Sequence, residues 1–368
     1  MRCLTPFILL AILVVSLSIS VSAADLDFLE ADGYGTGNSF MVGLCDVDLD
    51  GDLDAFFSNM GGVSRMWMNE GDGTFRRGVR TYGSGMHGVA FGDLDGDGDP
   101  DMVLASCNSG EGSPVYLNNG QGTFQSGSQL ADVSSSANFV SLFDLEGDGD
   151  LDVGLYYSSR ESRVFVNDGD GNFVDLGVRI PGIAWWGDLD GDGDADLVSE
   201  QHGVHGGGVA VWKNESGELA LAAVVSASGP YLPGDAALAD LDGDGDLDYV
   251  NSGTSFGVPG ALTVLLNDGT GHFTQGSAGS FRVGAGRLRL ADFNGDGYLD
   301  VLVSSLGARD RMGLNDGTGQ FLDAGIEIGD ANLPGVPAVG DLDGDGDVDI
   351  LLSRYEPAGA NTVWLNTQ

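Results

Sequence analysis

The sequence predicts an all-β chain folded as a seven-bladed β-propeller of four-stranded blades, and three observations carry that expectation. A nine-residue acidic loop of the form Asp-x-Asp-Gly-Asp-Gly-Asp-x-Asp occurs seven times, with small variations. A second signature, an apolar run followed by Asn-Asp-Gly-type turn residues and usually a Phe, follows roughly two dozen residues after each loop begins. The stretches between the two are short and apolar and show no helical periodicity.

The acidic loops begin at Asp46, Asp93, Asp144, Asp188, Asp240, Asp292 and Asp341, with successive copies 44 to 52 residues apart. In the second copy Gly88-Val89-Ala90-Phe91 precedes the loop and Met102-Val103-Leu104-Ala105 follows it, which reads as two strands joined by the loop. Met68-Asn69-Glu70-Gly71-Asp72-Gly73-Thr74-Phe75 is the first turn signature, and the others centre on Asn118, Asn167, Asn214, Asn267, Asn315 and Asn366. Asn and Gly tolerate the positive φ that tight hairpin turns require, so this turn joins a third strand to a fourth. Four strands recurring about every 50 residues are the mark of propeller blades. The Asn214 copy, Asn-Glu-Ser-Gly-Glu-Leu, is degenerate but in register. The last repeat holds three strands, and Asp25-Leu26-Asp27-Phe28 is expected to supply the missing one, removing an open edge.

Two residues before each loop stands a large apolar side chain: Leu44, Phe91, Leu142, Trp186, Leu238, Leu290 and Val339. Its neighbours are mostly Gly, Ala, Ser or Cys. Period-two alternation assigns the large set to the packing between blades and the small set to the central axis. Phe143, Trp185 and Arg289 break the small set, with Arg287 on the same side as Arg289, and they read as a plug for the channel, with a ligand-binding role as the alternative.

Before the repeats lies a segment with one basic residue, Arg2, an apolar run from Leu4 to about Leu17 and a Val21-Ser22-Ala23 ending. Residues 1–23 are therefore expected to be a signal peptide and residues 24–368 a single propeller of an exported protein, secreted or periplasmic. The 368-residue chain has a formal net charge of −41. Losing Arg2 makes this −42, and seven Ca²⁺ ions, each adding two positive charges, would bring it to about −28. Such a surface repels nucleic acid and anionic lipid. Lys213 is the one lysine, and the arginines form no basic run. Once the signal peptide is gone, Cys45 and Cys107 are the remaining thiols; they could pair in an oxidising compartment, but their spacing is no disulfide framework.

A hard cation such as Ca²⁺ takes six to eight oxygens, and carboxylates on alternate residues converge on one point when glycine permits the turn. The expected calcium ligands are Asp46, Asp48, Asp50, Asp52 and Asp54 in the first loop and Asp93, Asp95, Asp97, Asp99 and Asp101 in the second. The third offers Asp144, Glu146, Asp148, Asp150 and Asp152, and the fourth Asp188, Asp190, Asp192, Asp194 and Asp196. Asp240, Asp242, Asp244, Asp246 and Asp248 form the fifth, and Asp292, Asn294, Asp296, Tyr298 and Asp300 the sixth. Asp341, Asp343, Asp345, Asp347 and Asp349 form the seventh. Positions 1, 3 and 5 would bind through side-chain oxygens, position 7 through its carbonyl, and position 9 through both carboxylate oxygens. Tyr298 at position 7 agrees with a backbone ligand there, and the sixth loop, with fewest charges, is expected to bind most weakly. An EF-hand needs an acidic residue at position 12, where this chain has Phe57, Leu104, Leu155, Ser199, Asn251, Val303 and Leu352. Up to seven structural Ca²⁺ ions are expected, with no vacant coordination position or adjacent base that would make them catalytic.

The loops and the Leu-x-Asn-Asp-Gly-x-Gly-x-Phe turns together resemble FG-GAP/VCBS repeats, the units of the integrin α N-terminal seven-bladed propeller, of many bacterial secreted proteins and of some fungal lectins. The resemblance runs from about residue 25 to 368. It implies a calcium-bound propeller used for adhesion or recognition, with Ca²⁺ held at loop positions 1, 3, 5, 7 and 9.

In an up-and-down blade both repeated turns emerge on one face, and the connections that differ between blades lie on the other, where binding usually resides. Arg65, Arg160, Arg163, Arg309, Arg311, Arg354 and Tyr355 fall on that variable face as candidate ligand contacts, or as partners of local Glu161, Asp310 and Glu356. His202 and His205 stand in a Gly-rich loop there and are a weak metal signal. No nucleophile motif or phosphate-binding loop is visible. The leading expectation is a monomeric, non-catalytic binding or adhesion module for extracellular protein or glycan, with no nucleic-acid partner and no membrane insertion. A lyase-like enzyme acting on polysaccharide and a mechanical envelope or matrix component are the alternatives.

Overall fold

The computed structural model describes residues 26–368 except 35–38, 109–111, 131–135, 158–161, 181, 202–207, 216, 227–234, 254–259, 261, 278, 306–307, 332–334 and 355–359. Residues 1–23, Arg160, His202, His205 and Tyr355 lie outside that set. Seven antiparallel four-stranded sheets follow one another along the chain, and no helix occurs among the described residues. None is therefore long and apolar enough to cross a membrane.

The innermost strands, in chain order, are Ser39–Cys45, Met86–Gly92, Phe139–Phe143, Ala184–Gly187, Ala236–Ala239, Gly286–Ala291 and Pro337–Gly340. Each packs beside the next, and the last returns to the first, so the blades close into a ring. Blade seven takes its outer strand from the N-terminal side: Phe28–Tyr34 pairs antiparallel with Asn361–Asn366. The closing strand begins where the expected Asp25–Phe28 segment ends. Leu26 is instead buried between blades six and seven, and the Asp27 carbonyl accepts the Thr367 N–H at 3.0 Å.

The core consists of seven apolar clusters, one between each pair of adjacent blades. Val103 and Val115 of blade two meet Val153, Leu155 and Phe165 of blade three, and equivalent sets fill the other six gaps. A sheet that turns both faces toward neighbours must be apolar on both, which is why the second strands read as continuous hydrophobic runs such as Asp101–Ser106, buried at every position.

This geometry corrects the assignment of the small inner residues to the axis. A Cβ placed on Gly92 would meet Leu142 and Leu151 of the next blade, one on Gly187 would meet Leu238 and Leu247, and one on Gly340 would meet Leu44 and Leu53. The small residues receive the next blade's large side chains, so both sets serve the blade interfaces. The exceptions follow the same rule: Phe143 stacks on Trp186 of blade four, centroids 3.8 Å apart and planes 9° apart, and Trp185 meets Tyr249 of blade five edge-on. Arg287 differs. Its guanidinium lies over the Phe139 ring of blade three, 4.6 Å from the centroid, so it crosses the axis from blade six.

Cys45 and Cys107 are both free. Cys45 ends an inner strand beside an acidic loop and Cys107 follows the far end of a second strand, so the two thiols stand on opposite faces. Burial and the adjoining Asp46 and Asp54 push the Cys45 thiol up to about 12.

Candidate calcium loops

Each acidic loop joins the inner strand of its blade to the second strand, and its nine residues divide their work. The position-1 carboxylate folds the loop around itself. In the second loop Asp93 accepts the Gly96 N–H on Oδ1 at 2.9 Å and the Gly98 N–H on Oδ2 at 3.0 Å, and equivalent pairs occur in the third, fourth, fifth and seventh. The bend puts position 4 at positive φ, which glycine supplies in six loops. The first loop has Leu49 there, at φ 59°, more than half exposed.

Position 9 is buried in every loop, with relative exposure of 0–1% for Asp54, Asp101, Asp152, Asp196, Asp248, Asp300 and Asp349. Its Oδ2 accepts the position-2 backbone N–H at 2.8–3.2 Å. Its Oδ1 accepts the backbone N–H of the turn asparagine at 2.7–2.8 Å. Burial, only partly offset by these hydrogen bonds, pushes Asp54, Asp152 and Asp300 up to about 7 and Asp101, Asp196, Asp248 and Asp349 to about 6. Position 9 is thus a backbone hub, and only its remaining lone pairs face the loop centre.

The same asparagine then reaches into the preceding blade. Its Nδ2 donates to the position-2 carbonyl of that blade's acidic loop: Asn69 to Leu342, Asn118 to Val47, Asn167 to Leu94, Asn214 to Leu145, Asn267 to Leu189, Asn315 to Leu241 and Asn366 to Phe293, at 2.5–3.1 Å. Seven latches therefore run round the ring. The degenerate turn of blade four keeps both the latch and the bond to Asp196, so the asparagine survives where the rest of the signature does not. The repetition of Asn was legible in the sequence as a turn signal; that its side chain crosses to another blade was not, because nothing local encodes the partner.

One oxygen from each of positions 1, 3 and 9 lies within 4.8 Å of the others in the second, fourth, fifth and seventh loops; in the first loop Asp46, Asp48 and Asp50 converge likewise. In those same five loops the position-3 Oδ1, on Asp48, Asp95, Asp190, Asp242 and Asp343, is buried with no hydrogen-bond partner. Burial and neighbouring carboxylates raise the pKa of Asp48, Asp95, Asp242 and Asp343. A buried, unpartnered carboxylate oxygen beside other carboxylates is what a divalent cation satisfies, so the donor set fits Ca²⁺. The position-7 side chain turns away toward the hairpin: Asp52, Asp99, Asp150, Asp246 and Tyr298 lie against Gly71, Gly120, Gly169, Gly269 and Gly317. That placement leaves the carbonyl as the group position 7 can offer and explains how Tyr298 is accommodated.

The two variant loops lack the three-carboxylate convergence among the described residues. In the sixth, Asn294 Nδ2 donates to Asp296 Oδ2 at 3.0 Å, so the amide supplies internally part of what a cation would. In the third, the Glu146 and Asp152 carboxyls stand close enough to share one proton, and burial is the chief cause that raises both. The fourth carries a tethered charge: Lys213 Nζ lies 2.6 Å from Asp190 Oδ2. Its stem packs against Gly271 of the next blade as Met68, Leu117, Leu266 and Leu365 pack against their counterparts, and its ammonium extends to the carboxylate.

The described variable-face arginines do not gather into one patch. Arg163 pairs with Asp175 at 3.3 Å, Arg309 with Glu327 at 4.0 Å and Arg311 with Asp323, each inside its own blade. Arg354 is 3% exposed; burial disfavours its ionised form, and the charges of Asp310, Glu30 and Asp330 favour it. Arg65 opens the third strand of blade one. The acids that meet the first three lie on outer strands; of the sequence-named acids, Asp310 takes part, and Glu161 and Glu356 lie outside the described residues.

An FG-GAP-like repeat profile matches residues 46–104, 93–155, 144–199, 188–250, 254–303 and 292–352. The chain belongs to the FG-GAP repeat family. No curated sequence matches it. Among solved structures it is similar to a chain of the crystal structure of BBS1N in complex with ARL6DN, soaked with mercury, at 12% identity and TM-score 0.58 over 93% of this chain and 97% of that one. The lead-soaked crystal of the same complex gives 11% identity and TM-score 0.53 over 92% and 96%. At such identities the likeness is one of fold. Five of the six matches run from one acidic loop through the next, and the fifth begins at residue 254, past its loop, so the FG-GAP unit straddles two blades, as the asparagine latches do.

Proposed function

We propose that this FG-GAP propeller is an exported, calcium-stabilised, monomeric binding module that recognises an extracellular protein or glycan on its variable face and catalyses nothing. The observation that carries the calcium half is the coincidence, in the same five loops, of converging carboxylates with a buried position-3 oxygen that has no partner. Asp or Asn side chains at positions 1, 3, 5 and 9, with the position-7 carbonyl, would hold the ion. When bound, it supplies the positive charge that offsets carboxylate repulsion within each loop.

Position 1 meanwhile shapes the loop and position 9 ties it to its hairpin, so these residues serve the architecture. That supports a structural part for the metal and leaves recognition to the opposite face, where connections differ from blade to blade. Export rests on the apolar segment and Val21-Ser22-Ala23 ending. Thermal melting with calcium and with EGTA tests the reading: a large fall in melting temperature on chelation is expected, and identical curves would sink it. A glycan array and a pull-down from extracellular matrix, each run with and without Ca²⁺, identify the partner class.

A further inference from the structure

We propose that the mouth of the central channel on the variable face binds an acidic sugar, a ligand bearing one carboxylate and adjacent hydroxyls. Phe40, His87, Phe139 and Arg287 all lie near the ends of inner strands far from the acidic loops, on four different blades. Their contacts join them across the axis. The His87 ring stacks on Phe40 with centroids 4.3 Å apart, and its Nδ1 lies 3.2 Å from Oδ1 of Asn138. Phe139, the next residue, carries the Arg287 guanidinium over its ring.

Two groups in this cluster are incompletely satisfied. Arg289, two residues along the same strand, pairs with Asp235 at 3.1 Å, while Arg287 makes no ion pair among the described residues. Asp235 is already occupied, because its Oδ2 also accepts the Leu288 N–H and its Oδ1 the Ala236 N–H. Arg287 thus has no direct ion-pair partner among the described residues in a protein of net charge −41; burial disfavours its charge, and Asp235, already engaged by Arg289, favours it from nearby. His87 is 9% exposed, and its Nε2 is buried with no hydrogen-bond partner. With Nδ1–H donating to Asn138, Nε2 presents a lone pair that a hydroxyl can fill. A planar guanidinium matches a carboxylate, and half-buried aromatic rings match the C–H faces of a sugar. The strongly negative protein field disfavours polyanions, which narrows the ligand to a single acidic residue among neutral ones. Arg287 and Phe139 are both half-buried, so each keeps part of its surface open to a ligand at the channel mouth.

This inference rests on the reading that recognition occurs on the variable face, but it is independent of calcium occupancy. The test uses the calcium-loaded protein with glucuronate, acetate and glucose as probes, followed by calorimetry and by the His87 ring resonances in NMR. Glucuronate is expected to shift the His87 signals and to bind at least tenfold tighter than acetate or glucose. Arg287→Met should weaken glucuronate at least tenfold, His87→Phe should weaken it severalfold while keeping the stack on Phe40, and Arg76→Met, on an exposed outer strand where it pairs with Glu70, should leave it unchanged. Should Arg287→Met not fold, Arg287→Lys, which keeps the charge and loses the planar fork, is expected to give an intermediate loss. Unmoved His87 signals, equal binding of acetate, or wild-type affinity in the Arg287 variant that folds would overturn the site. A chelator-insensitive melting curve would instead overturn the calcium reading and leave this one standing.

Discussion

Replacing Asn118 by Ala isolates the latch between blades. The side chain donates two hydrogen bonds through Nδ2, to Val47 O at 2.7 Å and to Pro100 O at 3.1 Å, and both are lost. Val47 O keeps the Gly122 N–H at 2.9 Å, so it is not left bare. The bond from the Asn118 backbone N–H to Asp101 is unaffected by the substitution. At about 1 kcal/mol net for each bond, the expected cost is ~2 kcal/mol. Urea unfolding monitored by tryptophan fluorescence measures it, in saturating calcium and again after exhaustive chelation. The two losses should be equal, because Asn118 holds a carbonyl and offers nothing to the ion. A variant as stable as wild type would refute the latch, and a loss confined to the calcium-loaded protein would make Asn118 part of the metal site instead.

Leu49→Gly should stabilise the protein by about 1 kcal/mol in the same unfolding assay, since it relieves a left-handed backbone that a branched side chain adopts at a cost. Lys213→Leu keeps the interblade packing and removes the tethered charge; native mass spectrometry and melting are expected to show a larger dependence on calcium, with the fall in stability greatest in metal-free protein. Metal-free protein, prepared by dialysis, should melt higher at pH 5 than at pH 8. The position-9 carboxyls have folded pKa values near 6 to 7 against about 4 unfolded, so the fold binds protons more tightly and loses that advantage as pH rises through 6 to 7. Calcium is expected to reverse that order, and a metal-free melting temperature that climbs steadily from pH 5 to pH 8 would refute the buried-carboxyl account.

The propeller was legible because its blades repeat: seven loops and seven turns at fixed spacing leave little freedom in strand number, order or direction. What period-two alternation could not tell was where each side of an inner strand points. In an isolated sheet one face meets solvent, and small residues at Gly92 or Gly340 would then mark a crowded surface. In a ring each sheet has a neighbour on both sides, so a glycine there makes room for the leucines of the next blade. The same limit governs the loops. Spacing alone names five oxygen donors and gives position 9 both carboxylate oxygens for the ion, but burial and hydrogen bonding rank them differently. Position 9 is committed to two backbone N–H groups, position 7 turns to the hairpin, and position 3 is left holding the unsatisfied oxygen. Substitution at position 3 should therefore decide whether a loop takes the ion, and the chain has made that substitution twice, with Glu146 and Asn294. Sequence placed the deficit in the sixth loop by counting charges; the structure adds the third, where Glu146 engages Asp152. Restoring aspartate at both should raise the number of calcium ions bound per chain by two in native mass spectrometry. An unchanged count in the doubly restored protein would mean that position 3 is not the determinant and that the buried orphan oxygens are satisfied some other way.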